Sequence, residues 1–296
     1  MSESNVNQSD TKSPRIYKIL LMILPVGVVI GTIIFMFMYF YLEREDEKNH
    51  AVIVSHGLRV SDLEDMVDKF ADRIGQRNIE SEQGRVGLRR AASMIEGRLG
   101  PQNVGYPVVK SEGKAAHGFL WKSLSVEILG EQTPDEVVFA VVSYAGAGED
   151  ADANTVSTLM MLASSMAREN PARTIRFVFT PLDLSLEGQE QWLRERCLKS
   201  GESCVGIIGL HTMSAMPIAG DSAWQADTKS ANDIAWWNRL KGDAGELNVN
   251  STVVGSVWLT HPVFSNQTWV NSRERRLDST LNVAQDLRKW LVKASQ

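Results

Sequence analysis

The chain has 296 residues, a net charge of −5 at pH 7 and two cysteines, and 43% of its residues are hydrophobic. The acidic balance without a basic stripe excludes general nucleic-acid binding. The absence of a Cys-x-x-Cys pair or a His-rich knuckle excludes a small structural zinc module, and the length suffices for one sizeable core.

Residues 1–18 read as a disordered tail, rich at the start in Ser, Asn and Asp. From Ile19 to Leu42 there is no charge and no strongly polar residue apart from Thr32. As a helix this run is about 36 Å long, enough to cross a hydrocarbon layer of about 30 Å with some tilt. It is too long for the apolar core of a cleaved signal peptide. It ends in Tyr39-Phe40-Tyr41, suited to the membrane–water interface, before Glu43-Arg44-Glu45-Asp46. The expectation is a single-pass membrane anchor at 19–42. Lys12, Arg15 and Lys18 precede it, and Arg44 and Lys48 follow among acids. This bias puts the N-terminus in the cytoplasm and the large domain outside it, in the periplasm, the extracellular space or a lumen. Gly27 and Gly31 lie one turn apart in the anchor. They are either a helix–helix contact face or the incidental glycines common in such helices.

Residues 43–59 read as a linker and 60–296 as one α/β domain. Ser61-Asp62-Leu63-Glu64 has the form of a capping box opening a helix through Leu63, Met66, Val67, Phe70 and Ile74, with Gly75 at its end. A second helix is expected over 86–99, with Leu88, Ala92, Ile95 and Leu99 on one face and Gly100-Pro101 stopping it. Strands are expected over 124–129, 137–144, 174–180, 205–210 and 253–259. Between them fall helices over 155–168 and 187–196, with a last one over 279–292. The stretch 145–154 reads as a loop rich in Ala, Gly and acids. Trp236 and Trp237 fall in a helix within the irregular 212–250 region; one is expected to pack inward and the other to line a pocket or partner surface, although for either one alone core packing is the commoner outcome. Alternation of strands and helices at this length indicates a largely parallel central sheet, with ligands bound beyond the carboxyl ends of its strands. Cys197 and Cys204, with six residues between them, are either a small disulfide loop or two separate thiols. Asn250-Ser-Thr252 and Asn266-Gln-Thr268 are glycosylation sequons, relevant only in a eukaryotic secretory pathway.

The ordered set Ile74-Gly-Gln-Arg-Asn78, Met94-Ile-Glu-Gly-Arg-Leu99, Pro134-Asp-Glu-Val-Val-Phe-Ala-Val-Val-Ser-Tyr144, Asn154-Thr-Val-Ser-Thr-Leu-Met-Met-Leu-Ala163 and Pro171-Ala-Arg-Thr-Ile-Arg-Phe-Val178 resembles the di-zinc aminopeptidase family over about residues 60–292. Its superfamily of zinc exopeptidases includes bacterial leucine aminopeptidases, glutaminyl cyclase, the transferrin receptor and nicastrin. The resemblance implies a three-layer α/β domain. It also implies two zinc ions bound by His and carboxylates, with a Glu base acting on a bridging water. The chain departs from that pattern. Where the family carries His-x-Asp it has Ser143-Tyr144-Ala145. Ala151 stands at the bridging Asp and Leu182 at the Glu base. Asp183 follows as a ligand-type side chain, His211 stands at the next Asp, and Thr268 at the last His. Leu259-Thr-His261-Pro-Val-Phe264 resembles the family's Ser-Asp-His-x-x-Phe.

Side chains such as those of Ala and Leu hold no divalent ion, and an apolar base position removes that route of general-base catalysis. The resulting expectation is a catalytically inactive, peptidase-like domain without cofactor, acting through a protein partner, a homo-oligomer or a ligand. The alternative is an active zinc exopeptidase with a rewired site. It would draw on Asp183 and His211, with Asp150, Asp152, Glu149 or Glu187 from converging loops; loop acids are otherwise solvated surface.

Overall fold

A computed structural model describes residues 23–25, 27–39, 55–115, 118–182, 189–212, 224–242, 255–264 and 273–296. The chain divides into two compact units, Met1–Ala51 and Val52–Gln296. In the first, residues 23–25 and 27–39 are helical, with large apolar side chains such as Ile33, Phe35 and Phe37 exposed. Among the described residues no helix is long and apolar enough to cross a membrane. Both ends of the 19–42 run lie outside the described residues. Gly27 and Gly31 face open space.

The second unit begins with helix α1 (Val60–Asp68), which continues as one wide π turn over Lys69–Ile74. Leu63, Met66, Val67 and Phe70 are buried, as their spacing predicts. The capping box does not form. Ser61 lies inside the helix, Arg59 occupies the cap, and no side chain caps it. Gly75 ends the π turn with φ +68°, a conformation that only glycine adopts freely, and its N–H reaches back to the Phe70 carbonyl at 3.1 Å. Helix α2 (Glu82–Leu99) starts a turn earlier than its apolar spacing indicates, because the Ser81 hydroxyl accepts from the Gly84 N–H.

Among the described residues seven strands form one sheet: β1 (Val109–Lys114), β2 (Leu120–Ile128), β3 (Thr133–Ser143), β4 (Arg173–Thr180), β5 (Ser203–Leu210), β6 (Gln225–Asp227) and β7 (Gly255–Thr260), in the order β1-β2-β4-β3-β5-β7-β6. The four central strands β4, β3, β5 and β7 run parallel. The flanking pairs β1–β2, β2–β4 and β6–β7 are antiparallel. Strand β3 carries Val137–Val142 as an unbroken buried run, because helices cover both of its faces. Val138, Ala140 and Val142 join the main core with α1, α2, helix α3 (Asp150–Ser165), helix α5 (Ala231–Lys241) and helix α6 (Arg273–Ala294). Val137, Phe139 and Val141 face the second core, built with Leu193 and Cys197 of helix α4 (Gln189–Cys197) and with Trp258.

Indole rings fill troughs that glycines leave in β5 and β7. A Cβ on Gly206 would fall 2.5 Å from the Trp236 ring, one on Gly255 2.6 Å from the Trp236 Cβ, and one on Gly209 1.9 Å from the Trp258 ring. The expectation that only one of the adjacent pair Trp236 and Trp237 packs inward is corrected. Both are buried, because α5 lies between the sheet and α6: Trp236 lies over the glycines, and Trp237 stands edge-on to Trp290 at 4.8 Å. Cys197 and Cys204 are two free, buried thiols. The loop between them is closed by ions, with Arg176 donating to the Cys197 carbonyl and to Glu202.

Candidate functional site

The chain runs from β3 to β4 on one side and then to β5 on the other, so the topological switch lies at the carboxyl end of β3. Ser143 ends that strand opposite Thr180, and its hydroxyl accepts from the Ala145 N–H at 3.2 Å. Tyr144 turns inward, 1% exposed; its N–H donates to the Thr180 carbonyl at 2.8 Å and its hydroxyl to the Lys122 carbonyl. Burial raises this phenol, which therefore stays neutral.

The next residues are tied down by Arg77. Its backbone exchanges two 2.8 Å hydrogen bonds with Gly146. Its guanidinium is fully buried and donates to the carbonyls of Tyr144 (2.8 Å), Phe70 (2.7 Å) and Gly75 (2.8 Å), and to the Asp152 carboxylate at 2.7 Å. Asp152 also accepts from the Gly148 N–H at 3.1 Å. The predicted loop over 145–154 is thus shorter than expected. Asp150, Ala151 and Asp152 form the first turn of α3, where acids favour the positive end of the helix dipole. Asp152 is neither solvated nor open to a metal, since both of its oxygens are engaged and the residue is 6% exposed.

Ala151 is fully buried, and its carbonyl accepts from the Thr155 hydroxyl at 2.7 Å. That hydroxyl also meets the Thr212 hydroxyl at 3.1 Å, joining α3 to the end of β5. Leu182 is half-buried against the second core and donates its N–H to the Thr180 hydroxyl. His211 holds its backbone on the Leu259 carbonyl at 2.9 Å and lays its ring 5.2 Å from that of Trp258. The Trp258 N–H in turn donates to Glu190. His261 accepts from the Val263 N–H through Nδ1 and stands 5.1 Å from Trp224. Glu149 is the exposed cap residue of α3. Asp183, Glu187, Thr268 and both sequons lie outside the described residues.

The structure thus brings Ser143, Ala145, Ala151, Leu182 and His211 to one end of the sheet, but their side chains make no ligand set. Among the described residues no three His, Cys, Asp or Glu side chains gather as a metal site. By donor chemistry, the described side chains of this corner, one imidazole set against an indole beside Ser, Ala and Leu, do not by themselves fit a pair of divalent ions. The residue that sequence reasoning missed is Arg77. It stands within the quoted Ile74–Asn78 segment, but its partner is 75 positions away.

No family model and no curated protein matches the sequence. Solved structures share its fold. A zinc aminopeptidase from Bacillus subtilis aligns with a TM-score of 0.54 at 8% identity, over 81% of this chain and 96% of that one. A leucine aminopeptidase precursor from Bacteroides thetaiotaomicron aligns at 0.51 and 11% identity, over 81% and 99%. A glutaminyl cyclase from Porphyromonas gingivalis aligns at 0.51 and 11%, over 80% and 98%. At such identities the likeness is one of fold, and the fold is that of the zinc-dependent exopeptidases and glutaminyl cyclases.

Proposed function

We propose that this exopeptidase-fold domain is catalytically silent, is held at a membrane by the helix at 19–42, and works by binding another protein. The observation that carries this reading is the donor set at the switch point. The corner that would hold two metals offers Ser143, Ala145, Ala151 and Leu182, and the carboxylate of Asp152, in the first turn of α3, is taken up by Arg77. A base at the Leu182 position is what general-base activation of water would need, and a hydrocarbon supplies none. Folds of this kind carry function in grafted sites, so the fold does not by itself require peptidase activity.

The full chain purified in detergent is expected to contain no stoichiometric zinc and to release no amino acid from aminoacyl-nitroanilides or short peptides. A chelator is expected to leave its melting temperature unchanged, since no bound metal contributes folding free energy. One or more zinc ions per chain, with turnover abolished by Asp183→Ala, would restore the rewired peptidase.

The same reading orients the chain with its N-terminus in the cytoplasm and residues 50–296 outside. Protease added to intact cells or spheroplasts should therefore remove the domain. Digestion only after lysis would reverse the orientation.

A further inference from the structure

Strand β1 is the outer strand of the sheet, and among the described residues nothing pairs with its free edge. Such an edge presents unpaired N–H and C=O groups, a template for another strand. Proteins block these edges with rows of like charge, but here the row alternates. Lys110, Glu112 and Lys114 are exposed and point to one face, with Glu112 between two lysines.

The charges select a register. If two copies pair antiparallel with Ser111 opposite Ser111, Lys110 of each lies opposite Glu112 of the other, giving two cross-strand ion pairs. With Glu112 on the dyad, Glu meets Glu and Lys110 meets Lys114, which is repulsive. With Gly113 on the dyad the charges match, but the pairing runs off the end of β1 towards the Ala115–Gly118 turn. The Ser111 register alone joins attraction with full use of the strand.

The opposite face agrees. Val109, 50% exposed, would lie opposite Gly113 of the other copy, where the buried Trp121 ring fills the place of a Cβ and leaves no side chain to clash with it. The intrachain partners of the two charged residues, Glu96 for Lys110 at 2.5 Å and Lys122 for Glu112 at 3.7 Å, are themselves exposed and extend the same alternation sideways.

We propose that the free edge of β1 is a self-pairing interface, joining two copies of this chain antiparallel about Ser111 into one continuous sheet. The proposal rests on the edge and its charge order, and holds whether or not the switch-point site is silent.

The test uses the full chain in cells. Directly opposed Cα atoms in an antiparallel pair are about 4.5–5.5 Å apart, within reach of a disulfide. Ser111→Cys is therefore expected to give a covalent dimer on mild oxidation. The unaltered chain, whose cysteines are buried, is expected to give none, and so is Gln225→Cys on the opposite edge. Adding Lys110→Glu should slow crosslinking about tenfold, by turning two attractive pairs into repulsive ones. Adding Glu112→Lys as well should restore it. Lys110 is exposed, so loss of the fold does not explain the single variant, and the melting temperature confirms this. Failure of Ser111→Cys to crosslink, equal crosslinking at Gln225→Cys, or indifference to Lys110→Glu would each overturn the proposal. The last two are the signature of association through the 19–42 segment alone.

Discussion

Replacing Arg77 with Met is expected to lower the unfolding free energy by about 3–5 kcal/mol, because it leaves a buried carboxylate without its cation. The Arg77 side chain is 0% exposed and that of Asp152 8%. Removing the guanidinium also leaves the carbonyls of Phe70, Gly75 and Tyr144 without that donor. In a domain of this size the melting temperature should fall by about 10 °C. The double variant Arg77→Met/Asp152→Leu should recover part of the loss, since it no longer buries a lone charge. Denaturant titration followed by tryptophan fluorescence measures both. A single-variant loss below about 1 kcal/mol would show that Arg77 does not hold this corner.

The second large effect is expected at Arg176, which is 3% exposed and clamps Glu127 of β2 and Glu202 of the 198–202 loop to β4. Burial alone would raise the Glu202 carboxyl. The hydrogen bonds from Arg176 and the Lys199 N–H, with the charges of both residues, outweigh it and hold the carboxyl below its ordinary value. A depressed carboxyl adds stability that is fully present above the unfolded value of about 4.3 and is lost as pH falls through the folded one. Arg176→Met should cost about 3 kcal/mol at pH 7, as for a broken buried pair. It should also blunt the acid response: without Arg176 the Glu202 carboxyl keeps only the lowering interactions of Lys199, so the variant loses less stability than the parent on acidification. The gap between them should therefore narrow from pH 7 to pH 4, and a constant gap would show that Glu202 is not coupled to Arg176.

The central strands are legible in the sequence because burial on both faces leaves unbroken apolar runs, as in Val137–Val142. Strand β1 is not, because Lys110-Ser111-Glu112-Gly113-Lys114 at an open edge has no apolar face to show. The first turn of α3 reads as loop from its acids and alanines. What ties that turn down is the distant Arg77 on Asp152, a tertiary fact. The sequence order placed Ser143, Ala145, Ala151, Leu182 and His211 at one end of the sheet, through the alternation of elements. It did not reveal what occupies the ligand positions' surroundings. The Arg77–Asp152 pair, the Thr155–Thr212 contact and the tilted His211–Trp258 ring contact each join residues distant in the chain. Periodicity within a segment carries no information about such pairs. The cysteine pair was equally open, since spacing in the chain does not say which way each thiol faces.

The indoles lying over Gly206, Gly209 and Gly255 constrain how this domain can diverge. Any side chain at Gly209 collides with Trp258, with a Cβ only 1.9 Å from the ring, so the glycine can change only after the tryptophan has shrunk. Shrinking the tryptophan first opens a void under the sheet, which is costly in itself. Trp236 spans two strands through Gly206 and Gly255, so three positions are linked in the same way. Mutational paths through these sites therefore have a compulsory order. Descendants of this sequence should keep the glycine–indole sets whole or exchange them whole, with few intermediates.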